Sequence, residues 1–272
     1  MRSVYIRPSL RWPGNKFSLL KELMPLFPLS FNNYHEPFLG SASVFLNTQC
    51  LQDVYLSDNN KDLINFYLQI KDNLKAFIEI THKKENTKSY YDVEKSIIYN
   101  IPIEKAAQFY YLNRTCFNGI YRVNSLGKFN VPYGHRENLK VVDESSLSIL
   151  CNKLKNANII HGDFYNSLEY IKPNDFVFLD PPYSAKKQSN KFNMYNDKLF
   201  IWSDQLRLKD YCAKLNKVGA KLMLANLYND DIYQLFAKDL GLNCFFTERY
   251  SSIGSKVNSR GKYNEYFFCN YM

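Results

Sequence analysis

Hydrophobic positions along this chain change period repeatedly, from helical spacing to short unbroken runs. After the turn at Pro13-Gly14, Phe17, Leu20, Leu23 and Met24 fall on one helical stripe, which Pro25 is expected to end. A short strand near Tyr34 runs into the loop Glu36-Pro-Phe-Leu-Gly-Ser-Ala42. A helix through Val44 and Leu46 follows, then a strand over 54–57 that stops on Asp58. Further strands are predicted over 158–161, 176–180, 221–226, 244–250 and 263–270. Helices fill most of the gaps, notably 61–72, 143–154 and 199–217, with Gly219 just past the last as a stop signal. This alternation predicts an α/β fold, a mainly parallel, doubly wound sheet covered by helices on both faces. The last two strands, joined by a loop, admit an antiparallel hairpin at the edge.

Open sheets of this kind bind ligands outside the carboxyl ends of their strands. Three groups fall there. In the loop from Glu36 to Ala42, Gly40 lets backbone approach a ligand closely, although a single glycine also fits an ordinary loop. Asp58 lies eighteen residues after Gly40, near the spacing at which a carboxylate meets a ribose hydroxyl; it reads equally as a cap for the helix starting near Lys61.

The third group is Asp175-Phe-Val-Phe-Leu-Asp-Pro-Pro-Tyr183, an apolar run that stops on a carboxylate, two prolines and a ring. The prolines fix φ, remove two N–H donors and hold the Asp180-Pro181 backbone extended, so its carbonyl is free to accept. Acceptors and a ring with few donors suit an exocyclic amino group on a flat base. Asp180 and the Pro181 carbonyl each take one N–H while Tyr183 stacks on the ring, and the nitrogen lone pair is turned toward an electrophile. The plainer reading makes Pro181-Pro182 loop punctuation and Asp180 a strand-end residue.

Composition narrows the partner. The formal charge is +9, and residues 81–140, 184–198 and 249–262 carry +5, +3 and +4 of it, leaving −3 elsewhere. Basic charge gathered on an insertion and two loops is the footprint expected for a polyphosphate partner, the plainer reading being a generally basic, soluble surface. The six cysteines show no Cys-x-x-Cys pairing and the four histidines are scattered, so neither a metal site nor a disulfide framework is expected. No apolar stretch approaches the length needed to cross a bilayer, and the first residues lack a signal-peptide core. A cytoplasmic protein with no membrane partner is expected.

The motifs together resemble the Dam-type family of S-adenosylmethionine-dependent DNA adenine-N6 methyltransferases. Leu10-Arg-Trp-Pro-Gly-Asn-Lys16 looks like the amino-terminal cofactor motif. His35-Glu-Pro-Phe-Leu-Gly-Ser41 with Ala42 looks like the Phe-x-Gly-x-Gly turn. The segment 111–124, followed by Gly127-Lys-Phe-Asn-Val-Pro-Tyr-Gly134, is similar to the family's target-recognition segment, and Asp180-Pro-Pro-Tyr183 completes the order. Asn15 and Ala42 stand where many relatives have glycine, and Arg136 where they often place an aromatic ring.

The resemblance implies a Rossmann-like methyltransferase sheet of seven strands, built from 1–80 and 141–272, with 81–140 inserted as a mostly helical target-recognition domain with a hairpin near Leu126-Gly127. It implies Asp180, Pro181, Pro182 and Tyr183 as catalytic. Trp12, Lys16, Glu36, Phe38, Gly40, Asp58, Asp163, Phe164 and Asp180 match cofactor contacts: Asp58 on the ribose, Asp163 and Phe164 on the cofactor adenine, Asp180 near the methionine amino group. Arg11, Arg114, Phe117, Asn118, Ile120, Arg122, Asn124 and Pro132 match contacts to DNA, and the charge map adds Lys186 and Lys187. The implied reaction moves the methyl group of S-adenosylmethionine to N6 of a flipped-out adenine in duplex DNA, within GATC, with no metal. Cytosine-N4 or RNA-adenine transfer, and a DNA-binding relative without activity, are the alternatives. A cognate restriction endonuclease acting on the same site is a possible partner.

Overall fold

The computed structural model describes residues 5–124, 127–136, 138–182, 200–251 and 261–272, with backbone alone for 248–251 and 261–264. Its strands are β1 (Tyr34–Glu36), β2 (Val54–Asp58), β3 (Ala157–His161), β4 (Phe176–Leu179), β5 (Lys221–Leu227), β6 (Asn243–Ser251) and β7 (Gly261–Cys269). They form one seven-stranded sheet in the order β3-β2-β1-β4-β5-β7-β6. β2, β1, β4 and β5 run parallel, and β7 lies antiparallel between β5 and β6. The sheet is thus mainly parallel with an antiparallel hairpin at one edge.

The order reverses between β1 and β4: the chain steps one way from β1 to β2 and the other way from β4 to β5. Such a switch point opens a crevice at the carboxyl ends of the two strands, where connections leave in opposite directions. Glu36 ends β1, and Asp180 follows directly on β4. All four residues of β4 are buried, as expected for a central parallel strand covered on both faces.

Helices α1 (Leu20–Leu23), α2 (Lys61–His82), α3 (Lys88–Glu94), α4 (Pro102–Thr115), α5 (Glu144–Leu154), α6 (Trp202–Val218) and α7 (Asp230–Tyr233) account for most of the remaining order. The first α-helix stops at Leu23, just before Pro25, as expected; Pro25 sits at the start of a 3-10 turn, Met24–Leu26, where its missing N–H is not needed, and the chain turns extended at Phe27. The helix expected through Val44 and Leu46 is a single 3-10 turn, Phe45–Asn47.

Contacts divide the chain into two compact units. The first comprises Met1–Phe17, Gly40–Thr48 and Asp58–His161. Its α2 is capped by the Asn60 side chain, which accepts from the N–H groups of Asp62 and Leu63. Leu63, Ile64, Phe66, Tyr67 and Ile70 recur at helical spacing on its buried face. Phe66 lies parallel to Tyr110 of α4, centroids 5.7 Å apart, and Phe77 meets Tyr110 edge-on. A second cluster of Tyr91, Tyr111, Leu112, Cys116, Val131 and Tyr133 underlies the segment after α4.

The second unit comprises Ser18–Leu39, Gln49–Ser57 and Gly162–Met272. Leu208, Tyr211, Cys212 and Leu215 of α6 pack with Val177 and Leu179 of β4 and Leu222 and Leu224 of β5. α6 stops at Gly219, whose φ of 81° lets its N–H reach back to the carbonyls of Asn216 and Leu215.

Candidate active site

In the first unit, the strand-to-helix turn after β1 is built on Gly40 and Asp58. Gly40 has φ +47°, and a Cβ there would stand 3.1 Å from Cδ1 of Trp12. Its N–H donates to Asp58 Oδ2 at 3.0 Å, and its carbonyl accepts the Tyr67 hydroxyl at 2.7 Å. Asp58 Oδ1 accepts the Asn60 N–H at 2.9 Å. Asn60, not Asp58, is therefore the cap of α2, and the Asp58 carboxylate braces the turn. Burial pushes its pKa up, partly offset by the backbone N–H groups of Gly40 and Asn60.

Trp12 connects this turn to the segment after α4. Its indole stacks on Tyr121 at 5.5 Å, and the Tyr121 hydroxyl donates to Asp62 Oδ2 at 3.0 Å. Lys16 is 1 % exposed; its ammonium donates to the Gly14 carbonyl at 2.9 Å and its N–H to Ser43 Oγ at 3.1 Å. Ser41, next to Gly40, has a buried hydroxyl with no hydrogen-bond partner among the described residues. A free donor or acceptor beside a glycine turn fits a polar ligand that supplies the missing bond.

The residues that the sequence matched to DNA contacts lie mostly after α4. Arg11 is tied to that helix through its backbone: its N–H donates to Asn113 Oδ1 at 3.0 Å and its carbonyl accepts Asn113 Nδ2 at 2.6 Å. A Cβ on Gly119, φ +66°, would fall 2.4 Å from Arg11 Cβ, so only glycine fits there. Phe117 is 45 % exposed and its N–H is held by the Pro132 carbonyl at 2.8 Å. Asn118 is exposed with φ 54°, Ile120 packs on the Tyr91–Tyr133 cluster, and Pro132 is exposed. Val123 pairs with Phe129 as an antiparallel bridge, with Asn124 Oδ1 accepting the Lys128 N–H across the turn.

The arginines differ in how they are used. Arg122 is exposed and its Nε donates to Asn130 Oδ1 at 2.7 Å, which fixes the guanidinium plane. Arg114 spends its guanidinium on the carbonyls of Val141 and Lys140, 3.3 and 2.9 Å away, so it braces the chain in this structure. Arg136 donates to the Arg114 carbonyl, while its buried Nε and Nη1 have no acceptor. Burial, then the charges of Arg11 and Arg114, lower its pKa.

In the second unit, β1 and β4 bring Glu36 and Asp180 to the switch point. Glu36 is buried and its Oε2 accepts the Tyr34 hydroxyl at 2.6 Å. Asp180 is half-buried, Pro181 buried and Pro182 exposed. Tyr183, Lys186 and Lys187 lie outside the described residues. Asp163 caps the 3-10 turn Phe164–Glu169, its Oδ1 accepting the Tyr165 N–H at 3.0 Å. The Phe164 ring is stacked on Phe38, centroids 5.1 Å apart, with Phe200 edge-on to Phe38.

Sequence reading missed Ser41 and Tyr121, though both lie inside motifs it quoted, and missed Arg207, which forms an ion pair with Asp163 at 2.8 Å. A lone arginine on a mixed helix gives no signal of this. Among the described residues, no three His, Cys, Asp or Glu side chains cluster as a metal site, and no helix is long and apolar enough to cross a membrane.

A family model described as D12 class N6 adenine-specific DNA methyltransferase matches residues 12–254. The chain is 35% identical to the type II methyltransferase M1.LlaDCHI of Lactococcus lactis subsp. cremoris, over 98% of this chain and 96% of that protein. It is 36% identical to the type II methyltransferase M.MjaIII of Methanocaldococcus jannaschii, over 84% of this chain and 86% of that one. A DNA adenine methylase of Haemophilus influenzae is 33% identical over 78% of this chain and 76% of its own length. An orphaned serine beside a glycine turn, carboxylates at the ends of β1 and β2 and the Asp180-Pro181-Pro182 exit from β4 thus sit in a chain that belongs to the D12 class of N6 adenine-specific DNA methyltransferases.

Proposed function

We propose that this DNA adenine methyltransferase uses S-adenosylmethionine as donor, acts on an adenine flipped out of duplex DNA, and selects GATC. The carrying observation is Asp180, half-buried at the end of a fully buried parallel strand and followed at once by two prolines that offer no N–H. Asp180 and the Pro181 carbonyl accept the two hydrogens of the target amine and orient its lone pair. Asp180 acts as an orienting acceptor, since the amine becomes acidic only as the new bond forms. Tyr183 stacks on the base.

The residues present fit the cofactor. Ser41 has a buried hydroxyl with no partner among the described residues, and Gly40, at φ +47°, lets the Trp12 ring close against the turn. When bound, S-adenosylmethionine supplies an electrophilic sulfonium methyl, so alignment and electrostatics carry the catalysis. Asp58 accepts from the ribose hydroxyls, Asp163 from the adenine amine, with Phe38 and Phe164 on the ring. Trp12, Lys16, Glu36 and Asp180 serve the adenosyl and methionine portions.

Residues 81–140 are the target-recognition portion and 1–80 with 141–272 the catalytic one. Phe117 wedges between bases, Arg11 and Arg122 read base edges, and Ile120 and Pro132 touch methyl groups. Asn118, Asn124, Lys186 and Lys187 contact the backbone, while Arg114 braces the chain through the carbonyls of Lys140 and Val141. The enzyme works in the cytoplasm, and a cognate restriction endonuclease on the same site is the protein partner this reading allows.

The experiment is methylation of defined duplexes by the purified protein, with the modified base identified and its sequence mapped. N6-methyladenine within GATC is expected. N4-methylcytosine, or adenine modified in another context, rejects the target assignment.

A further inference from the structure

Arg207 lies on α6, outside every motif, yet it meets three groups at the place assigned above to the cofactor adenine. Its Nη2 donates to Asp163 Oδ1 at 2.8 Å and its Nη1 to Asp204 Oδ1 at 3.3 Å. Its guanidinium carbon stands 5.1 Å from the centroid of Phe164. Asp204 is itself fixed, because its Oδ2 accepts the Ile201 N–H at the start of α6, at 2.9 Å. The guanidinium is thus held from three sides.

The consequence for Asp163 is an asymmetry between its oxygens. Oδ1 accepts from both Arg207 and the Tyr165 N–H. Oδ2 receives nothing from the described residues. Held in this way, the carboxylate cannot exchange its two oxygens without breaking two hydrogen bonds. Phe164 is contacted as well: the Arg207 guanidinium lies over its ring at 5.1 Å, and Phe38 stacks on it with centroids 5.1 Å apart.

We propose that Arg207 is a positioning residue for base selection in the cofactor: it commits Asp163 Oδ2 to the exocyclic amine of adenine. The inference rests on the reading that Asp163 and Phe164 hold the cofactor adenine. An acceptor held in place distinguishes an amine from a carbonyl more sharply than a rotating one, because the wrong group cannot find a compensating arrangement. Arg207 is 47 % exposed, and a surface ion pair of this kind adds little to folding. Its effect on ligand choice is therefore separable from stability.

The test is calorimetric titration of the full-length protein with S-adenosylhomocysteine and with S-inosylhomocysteine, in which a carbonyl replaces the amine. The wild type is expected to prefer the adenosyl compound by about tenfold or more, the worth of one charge-assisted hydrogen bond. Arg207→Met is expected to bring that ratio toward one by loss of adenosyl affinity, and Arg207→Lys to restore most of it. An unchanged ratio in Arg207→Met, or equal weakening of both ligands, overturns the proposal. Asp163→Asn separates the two layers. If it narrows or inverts the ratio while Arg207→Met leaves it alone, Arg207 fails and the Asp163 reading stands; if Asp163→Asn also leaves the ratio unchanged, the Asp163 reading fails and takes the inference with it.

Discussion

The Asp58 carboxylate holds the N–H of Gly40 at 3.0 Å, across eighteen residues of chain. One side chain thereby sets the shape of the turn and presents lone pairs at the end of β2. Its two oxygens each face an N–H donor, so Asp58→Asn must turn its NH2 toward one of them. The variant is expected to bind S-adenosylhomocysteine more weakly by ~1.5–3 kcal/mol and to melt at lower temperature. Unchanged affinity by calorimetry would remove Asp58 from the ribose site.

Ala42 has φ +59° and is fully buried, a left-handed backbone position where glycine carries no steric penalty. Ala42→Gly should relieve the strain, offset in part by the freer unfolded chain, and raise stability by about 1 kcal/mol in urea unfolding. A fall in stability would mean that the methyl group's packing outweighs its backbone cost.

Asp175, at the foot of β4, is buried and accepts from the Asn33 N–H and side chain, the Lys172 N–H and His35 Nε2. Burial pushes its pKa up, but these donors, led by His35, outweigh it and hold the carboxyl below its usual 3.8. A depressed folded value adds stability that is complete above the unfolded pKa and is lost as pH falls through the folded one. Asp58 acts with the opposite sign, since its pKa is raised. Asp175→Asn should cost about 3 kcal/mol at neutral pH and lose less further stability than wild type below about pH 4. Parallel pH profiles for the two proteins would show that Asp175 does not drive the acid transition.

Much of this was legible in the sequence because it depends on local pattern. The unbroken apolar run of β4 and the proline stop after Leu179 leave few alternatives, and the strand and edge-hairpin positions follow from spacing. What was hidden depends on contacts far apart in sequence. α2 continues to His82 because its later turns pack on α4, although non-helical backbone at Asn73 breaks the pattern that suggested an end near residue 72. The bond from Arg207 to Asp163 joins residues 44 positions apart, and the bracing of Arg114 by the carbonyls at 140 and 141 could not be told from a contact to DNA.

Asn130 Oδ1 accepts from Arg122 Nε at 2.7 Å and so fixes the guanidinium proposed above to read a base. Arg122→Ala should cost ~1–3 kcal/mol of discrimination at one base pair of the target, with affinity for unrelated DNA changed much less. Asn130→Ala should lose part of that discrimination by freeing the guanidinium. Single-turnover methylation of GATC duplexes and all single-base variants reads both. Equal loss on every substrate would reassign Arg122 to the phosphate backbone.

The most direct test of the account is single-turnover methyl transfer by Asp180→Ala at saturating S-adenosylmethionine on a GATC duplex, with folding followed in parallel. The variant is expected to keep the fold and to lose transfer by ~10²-fold or more, the scale seen when one preorganised polar contact to a reacting group is removed. Turnover within about tenfold of wild type would contradict the role of Asp180 as the acceptor that orients the target amine.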